Sequence, residues 1–351
     1  MKKNNFMKVL ILLLVCSMLT ACSSSKVTTT KKDDTDTAKV ETNDSEDATV
    51  ESEEESTTDA VAPEEAGTDQ KYGLGDLISV SVDGQEKYMI SIDGVTTTDE
   101  RNEYADTNPA QVIVIDYSYW NVGCEEDIYI SDYDFKVIDA EKNVCSSYPG
   151  TINYYPSNAP LGTKCSAQAC FGLDKESENV ELHFYDNLLS TSSDFIIDIP
   201  TNAVSEVAHD DAASYTAPKD CYKVGDTVTV SGDSGDFNIT INSAKKIKER
   251  NEYASQEVGA VWIVDYTYEN ISVEEDIYVS DIDFIAVDKN GNVGSSYPGD
   301  YTKYPEDTPK GTKCTAELCF GTKTDTDTIY LYYYDNMFNE KADMIFEITE
   351  K

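Results

Sequence analysis

Apolar and polar side chains alternate with a period of two through most of the chain beyond residue 70, which predicts short strands rather than helices. In a first series the pattern selects Leu77 to Val82, Lys87 to Ile92, Gln111 to Tyr119, Asp127 to Ser131, Phe135 to Ile138, Cys165 to Phe171, Val180 to Tyr185 and Phe195 to Ile199. A second series selects Thr227 to Val230, Phe237 to Ile241, Ala260 to Tyr268, Ile277 to Ser280, Phe284 to Val287, Cys314 to Phe320, Thr328 to Tyr333 and Met344 to Ile348. Gly, Asn, Asp and Pro fill the intervals, and the Asn290-Gly291 step suits a hairpin turn. No segment of useful length repeats at the helical period. Short strands at this spacing predict an all-β fold built from two-sheet sandwiches.

The two series are copies. RNEYA at Arg101 returns at Arg250, DIYISDYDF at Asp127 returns as DIYVSDIDF at Asp276, and SSYPG at Ser146 returns at Ser295. GTKC, CFG and YDN recur too, all at one offset of 149 positions, as between Arg101 and Arg250. That period far exceeds the 20–50 residues of a solenoid repeat, so a whole domain is duplicated. The expected organisation is a leader over 1–22, a tether over 23–70, one sandwich over 71–200, a linker over 201–219 and a second sandwich over 220–351.

Residues 1–22 combine Lys2, Lys3 and Lys8 with an apolar run from Val9 to Val15, too short to span a bilayer and built like a secretory signal. Leu19-Thr20-Ala21-Cys22 resembles the lipobox of bacterial lipoproteins, which implies a lipid such as palmitate on Cys22 after cleavage. The expected address is the outer face of the cytoplasmic membrane, anchored rather than spanning. Residues 23–70 hold 15 acidic and 4 basic side chains and no aromatic one. Such a composition buries too little apolar surface to offset its ordering entropy, so it predicts a disordered spacer.

Each unit opens with Gly-Asp (Gly75-Asp76, Gly225-Asp226) and ends its long central strand in an Asn (Asn121, Asn270). An Asp-rich turn follows, then Pro and Gly ahead of a strand carrying Phe171 or Phe320. This order resembles the DUF4352-type domains, immunoglobulin-like sandwiches of lipoproteins and secreted proteins in Gram-positive bacteria. The resemblance implies two tandem immunoglobulin-like β-sandwiches and no agreed catalytic role.

Seven cysteines follow Cys22. Cys124 and Cys145 occur in the first unit only, replaced together by Val273 and Gly294, which is how a disulfide partnership would vary. Cys165 and Cys170, and their copies Cys314 and Cys319, recur five residues apart and are expected to pair within each unit. On one straight strand, however, they would lie about 16 Å apart, beyond the roughly 7 Å that a disulfide allows. Cys221 is left over.

A net charge of −40 disfavours nucleic acid and anionic lipid as partners. The only arginines, Arg101 and Arg250, are candidate receptors for an anion, set against a cation fixed by carboxylates such as Glu103 and Glu252. Asp132, Asp134 and Asp139, with Asp281, Asp283 and Asp288, are candidate oxygen ligands for Ca²⁺, the one cofactor the sequence suggests. The 24 tyrosines could line a face for a protein or glycan. No G-x-S-x-G, H-E-x-x-H, P-loop or dinucleotide motif is present. The expected function is therefore non-enzymatic: binding or scaffolding toward an envelope protein or wall polymer. The alternatives are a carboxylate-based hydrolase of envelope glycans and a calcium-dependent adhesion module.

Overall fold

A computed structural model describes residues 26–32, 71–187, 189–209, 212–336 and 339–350. Cys22, the leader and most of the acidic segment lie outside them. No helix among the described residues is long and apolar enough to cross a membrane.

The fold is all-β. The first unit contains β1 (Val27–Lys31), β2 (Lys71–Tyr72), β3 (Ile78–Val82), β4 (Gln85–Thr98), β5 (Gln111–Asn121), β6 (Phe135–Ile138), β7 (Val144–Ser147), β8 (Lys164–Leu173), β9 (Asn179–Phe184), β10 (Phe195–Pro200) and β11 (Ala203–Val204). The second contains β12 (Tyr222–Lys223), β13 (Thr227–Gly232), β14 (Gly235–Ile247), β15 (Ala260–Asn270), β16 (Phe284–Asp288), β17 (Ser295–Ser296), β18 (Lys313–Thr322), β19 (Thr328–Tyr333) and β20 (Met344–Thr349).

In the first unit the strands follow one path, β1-β3-β4-β5-β8-β7-β6-β9-β10-β2, with β11 added to β4. Short β7 makes the corner, pairing with β8 through Ser146 and Ser147 and with β6 through Val144 and Cys145, so the sheet nearly closes into a barrel. The second unit keeps the two sheets apart, β12-β20-β19-β16 facing β13-β14-β15-β18-β17, and only the Val287–Val293 bridge marks the same corner. In general terms this is an immunoglobulin-like arrangement.

Alternation decides the packing. Ile113, Ile115, Tyr117 and Tyr119 of β5 point inward and are fully or almost fully buried, as are Trp262, Val264, Tyr266 and Tyr268 of β15. Burying one such side chain is worth roughly 1.5–3 kcal/mol. The inward tyrosines also satisfy their hydroxyls on loop backbone. Tyr117 donates to the Ile130 carbonyl at 2.9 Å and Tyr119 to that of Ser157 at 2.5 Å. Their copies Tyr266 and Tyr268 reach Val279 and Glu306 in the same way.

Two segments depart from the pattern. Asp127 to Ser131 and Ile277 to Ser280 are not strands; each keeps a single bridge, Ile128 to Ala159 and Ile277 to Thr308. Each carries one exposed tyrosine, Tyr129 or Tyr278. Conversely Val27–Lys31, in the segment whose composition suggests a spacer, forms a five-residue antiparallel edge on β3. Its β-branched Val-Thr-Thr-Thr run suits that position.

The cysteine pairings are corrected. All seven described cysteines are free thiols. Cys165 and Cys170 lie on β8, and Cys314 and Cys319 on β18, each strand in unbroken register with its neighbour and without the bulge that could fold them together. Cys124 follows the C-terminal end of β5, whereas Cys145 adjoins Ser146, which sits level with Gly172 and hence with Val112 at the other end. That separation is about 30 Å at roughly 3.3 Å per residue, against the roughly 7 Å a disulfide permits. Burial instead pushes the Cys145, Cys170 and Cys319 thiols up to about 11, which keeps them protonated and inert. Alkylation under denaturing conditions should therefore label all seven without prior reduction. Dithiothreitol should leave the thermal midpoint unchanged.

Candidate functional site

The residues singled out from the sequence serve the scaffold. Arg101 donates to the carbonyls of Thr98, Glu100 and Ala110, and Arg250 to those of Ile247, Lys248, Glu249 and Gly259. Both guanidiniums thus staple the loop after a long strand through backbone oxygens rather than carboxylates. Asp134 and Asp283 accept from the Ser131 and Ser280 amides at 2.7 Å and cap short 3₁₀ turns. Asp132 and Asp281 accept from Ser147 and Ser296. Asp139 and Asp288 close hairpin turns on the Asn143 and Asn292 amides. Among the described residues no three His, Cys, Asp or Glu side chains gather as metal ligands would. The tyrosines divide by face: Tyr333 enters the core, while Tyr330, Tyr332 and Tyr334 form an outer cluster covered by Tyr215 of the linker and by the first unit.

What the sequence did not single out is the cleft between the units, a cavity of about 340 Å³. Its floor is the outer face of β4, β5 and β8. A β-bulge between Ile92 and Gly94 leaves Asp93 out of register with β5. Bulges commonly re-aim a side chain in this way. Asp93 Oδ2 accepts from Ser118 Oγ at 2.7 Å, and Ser118 Oγ lies 3.0 Å from Ser166 Oγ. Beside them Asp116 accepts from Gln168 Nε2 at 2.6 Å, and burial pushes its carboxyl above the ordinary value.

Two ammonium groups flank this floor. Lys164 stacks over the Trp120 ring at 4.5 Å, a cation–π contact. Lys323 crosses from the second unit to donate to Ser166 Oγ at 3.0 Å. The linker supplies the remaining wall, where buried His209 bonds the Gly75 carbonyl at 2.8 Å with its ring edge-on to Trp120. The arrangement offers carboxylates, hydroxyls and ammonium groups on one patch, so a ligand can both donate and accept there. Polar groups converging in a cleft between units are a usual setting for ligand binding.

The units meet through backbone as well. The Lys164 amide donates to the Gly291 carbonyl and the Val293 amide to the Lys164 carbonyl, both at 2.8 Å. Gly291 has φ +86° and the Tyr215 ring lies against it, so a Cβ there would meet ring atoms at 2.6 Å. The Asp127 amide reaches the Glu340 carbonyl at 2.6 Å, and Asp127 Oδ2 accepts from Tyr334 Oη at 2.5 Å.

No family model matches the chain, and no curated protein matches it. The DUF4352-type resemblance therefore has no support beyond the order of its motifs. Among solved structures, the secreted protein MPT63 of Mycobacterium tuberculosis is similar over 38% of this chain and 99% of its own, at 17% identity and a TM-score of 0.30. A likeness that slight bears on no functional claim.

Burial at the junction raises the Asp127 carboxyl to about 6, with the Tyr334 hydroxyl opposing the shift. Parting the units returns Asp127 to water and to its ordinary value of 3.8. The raised value means that its contribution to the closed arrangement is fully present below 3.8 and is lost as the pH rises through about 6. A donor–acceptor dye pair across the units should report a larger open fraction at pH 8 than at pH 5. Asp127→Asn should flatten that dependence.

Proposed function

We propose that this chain is a surface protein anchored to the outer face of the cytoplasmic membrane by a lipid on Cys22. Its two tandem immunoglobulin-like units would bind a hydroxyl-rich segment of a wall glycan in the cleft between them, without turning it over. The observation that carries this reading is the patch of Asp93, Asp116, Ser118 and Ser166 on the cleft floor, with Lys323 reaching over it. Vicinal sugar hydroxyls donate to carboxylates and accept from ammonium and hydroxyl groups, which is the set assembled here. The flanking ammonium groups of Lys164 and Lys323 favour a glycan that also bears carboxyl or acylamino substituents. The strongly acidic surface is consistent with the absence of a nucleic-acid partner from this reading.

Two measurements test the proposal separately. Soluble wall-glycan fragments should give saturable heat in calorimetry, and Asp93→Asn or Ser166→Ala should each weaken binding about tenfold, or about 1.4 kcal/mol. Binding unaffected by both variants would move the site elsewhere, and no heat from any fragment would remove the glycan. In cells, a palmitate analogue should label the protein and Cys22→Ala should abolish the label.

A further inference from the structure

The contact that joins the two units is heterologous, since each contributes a different surface. The first unit offers Asp127, the Lys164 backbone and Ser166; the second offers Tyr334, the Gly291–Val293 turn and Lys323. Because the units are copies, each surface exists twice, and one example of each is left without a facing unit; on the first unit the Lys136 ammonium lies over the Tyr185 ring at 4.1 Å. The second unit retains Asp276, Lys313 and Thr315, all exposed, where the first uses Asp127, Lys164 and Ser166. The first unit retains Tyr185 and the Lys142–Val144 turn where the second uses Tyr334 and Gly291–Val293.

The uncovered surfaces keep the features that make the internal contact. The Asp–Tyr pair is present as Asp276 and Tyr185. The two turns share a backbone: Asp139 accepts from the Asn143 amide as Asp288 does from that of Asn292, and Lys142 has φ 70° where Gly291 has 86°. Val293 packs on the core of the first unit, whereas its copy Val144 is 66% exposed. Cys165, at the start of β8, is 2% exposed, whereas its copy Cys314 is only half-buried.

Charge is complementary as well. The free face of the second unit carries Lys303 and Lys313 where the first has Tyr154 and Lys164. The free face of the first carries Asp174 where the second has Lys323. Lys303 now rests on Asp265, and Lys142 on Glu181. Exposed pairs of this kind contribute about 0–1 kcal/mol, so exchanging them costs little. The replacement of Tyr330 and Tyr332 by Glu181 and His183 does not count against the match. Those two tyrosines lie against Tyr215 of the linker, which is 6.1 Å from the Tyr330 ring and 3.4 Å from the Tyr332 hydroxyl, and no linker crosses a junction between chains.

We propose that copies of this chain associate head to tail, the Asp276 face of one seated on the Tyr185 and Val144 face of the next. The internal junction is thereby repeated between molecules. A heterologous contact does not close on itself in pairs, so the products are open rows or rings.

The test is sedimentation velocity of the full chain carrying Cys22→Ser, so that lipid does not drive association. The parent should show reversible, concentration-dependent growth that weakens with salt. Asp276→Arg and Val144→Asp, both at exposed positions, should each lower the association constant at least tenfold. An equimolar mixture of the two variants should form dimers and nothing larger, because each supplies the face the other lacks. That dimer also shows that both variants are folded. A parent that stays monomeric to roughly millimolar concentration would overturn the proposal. So would oligomers that persist in both variants, or a mixture that stays monomeric.

Discussion

A phenol buried in a sandwich core must place its hydroxyl against a partner, and this chain uses that requirement to hold its loops. Tyr117 and Tyr119 stand on β5 with their rings in the core and their hydroxyls on the carbonyls of Ile130 and Ser157. The segments they hold have almost no ladder bonds of their own. Asn121, fully buried, adds amide bonds to the Glu126 and Ala159 carbonyls. An unpaired buried polar group costs about 1–3 kcal/mol, so these few bonds decide where the loops run. Asp127 and Tyr154 ride on those loops, and with them the junction between the units and one wall of the cleft.

The sequence made the strands, the duplication and the core legible, because each rests on a repeating pattern. Alternation placed Tyr117, Tyr119, Tyr266 and Tyr268 on strands without deciding which face they take, and the fold puts all four rings in the core. The cleft was hidden for a different reason. Asp93 reaches its floor through a bulge, and a single unpaired position leaves no periodic trace. Lys164 and Lys323 come together across units, from positions 159 residues apart in the chain. The cysteine pairings failed because correlated loss in the second copy was read as a bond, while register places Cys124 and Cys145 at opposite ends of β5.

A usable signal for the linker's course did exist in the differences between copies. Outward positions that are Glu181 and His183 in one unit are Tyr330 and Tyr332 in the other, and Glu269 stands where the first unit has Trp120. Duplicated folds begin with identical surfaces. A surface position that turns aromatic in one copy therefore marks what that copy has come to cover. Here the aromatic substitutions gather at Tyr215 and at His209, on either side of the linker's course.

The edge strand Val27–Lys31 bears on the mechanics of the proposed attachment. Lys26 bonds Asp83 through its amide, and Lys31 pairs with Asp76 at 2.7 Å, so this stretch belongs to the first sandwich. Only residues 23–25 separate it from the proposed lipid at Cys22. Extended chain spans at most about 3.3–3.6 Å per residue, which keeps that edge of the sandwich within roughly 15 Å of the anchor. Under that proposal the long acidic segment would begin and end on the same unit and would not set its height. In the anchored form the first unit would stand at the bilayer surface on a short leash, and the distance reached into the wall would be set by the length of the two sandwiches themselves.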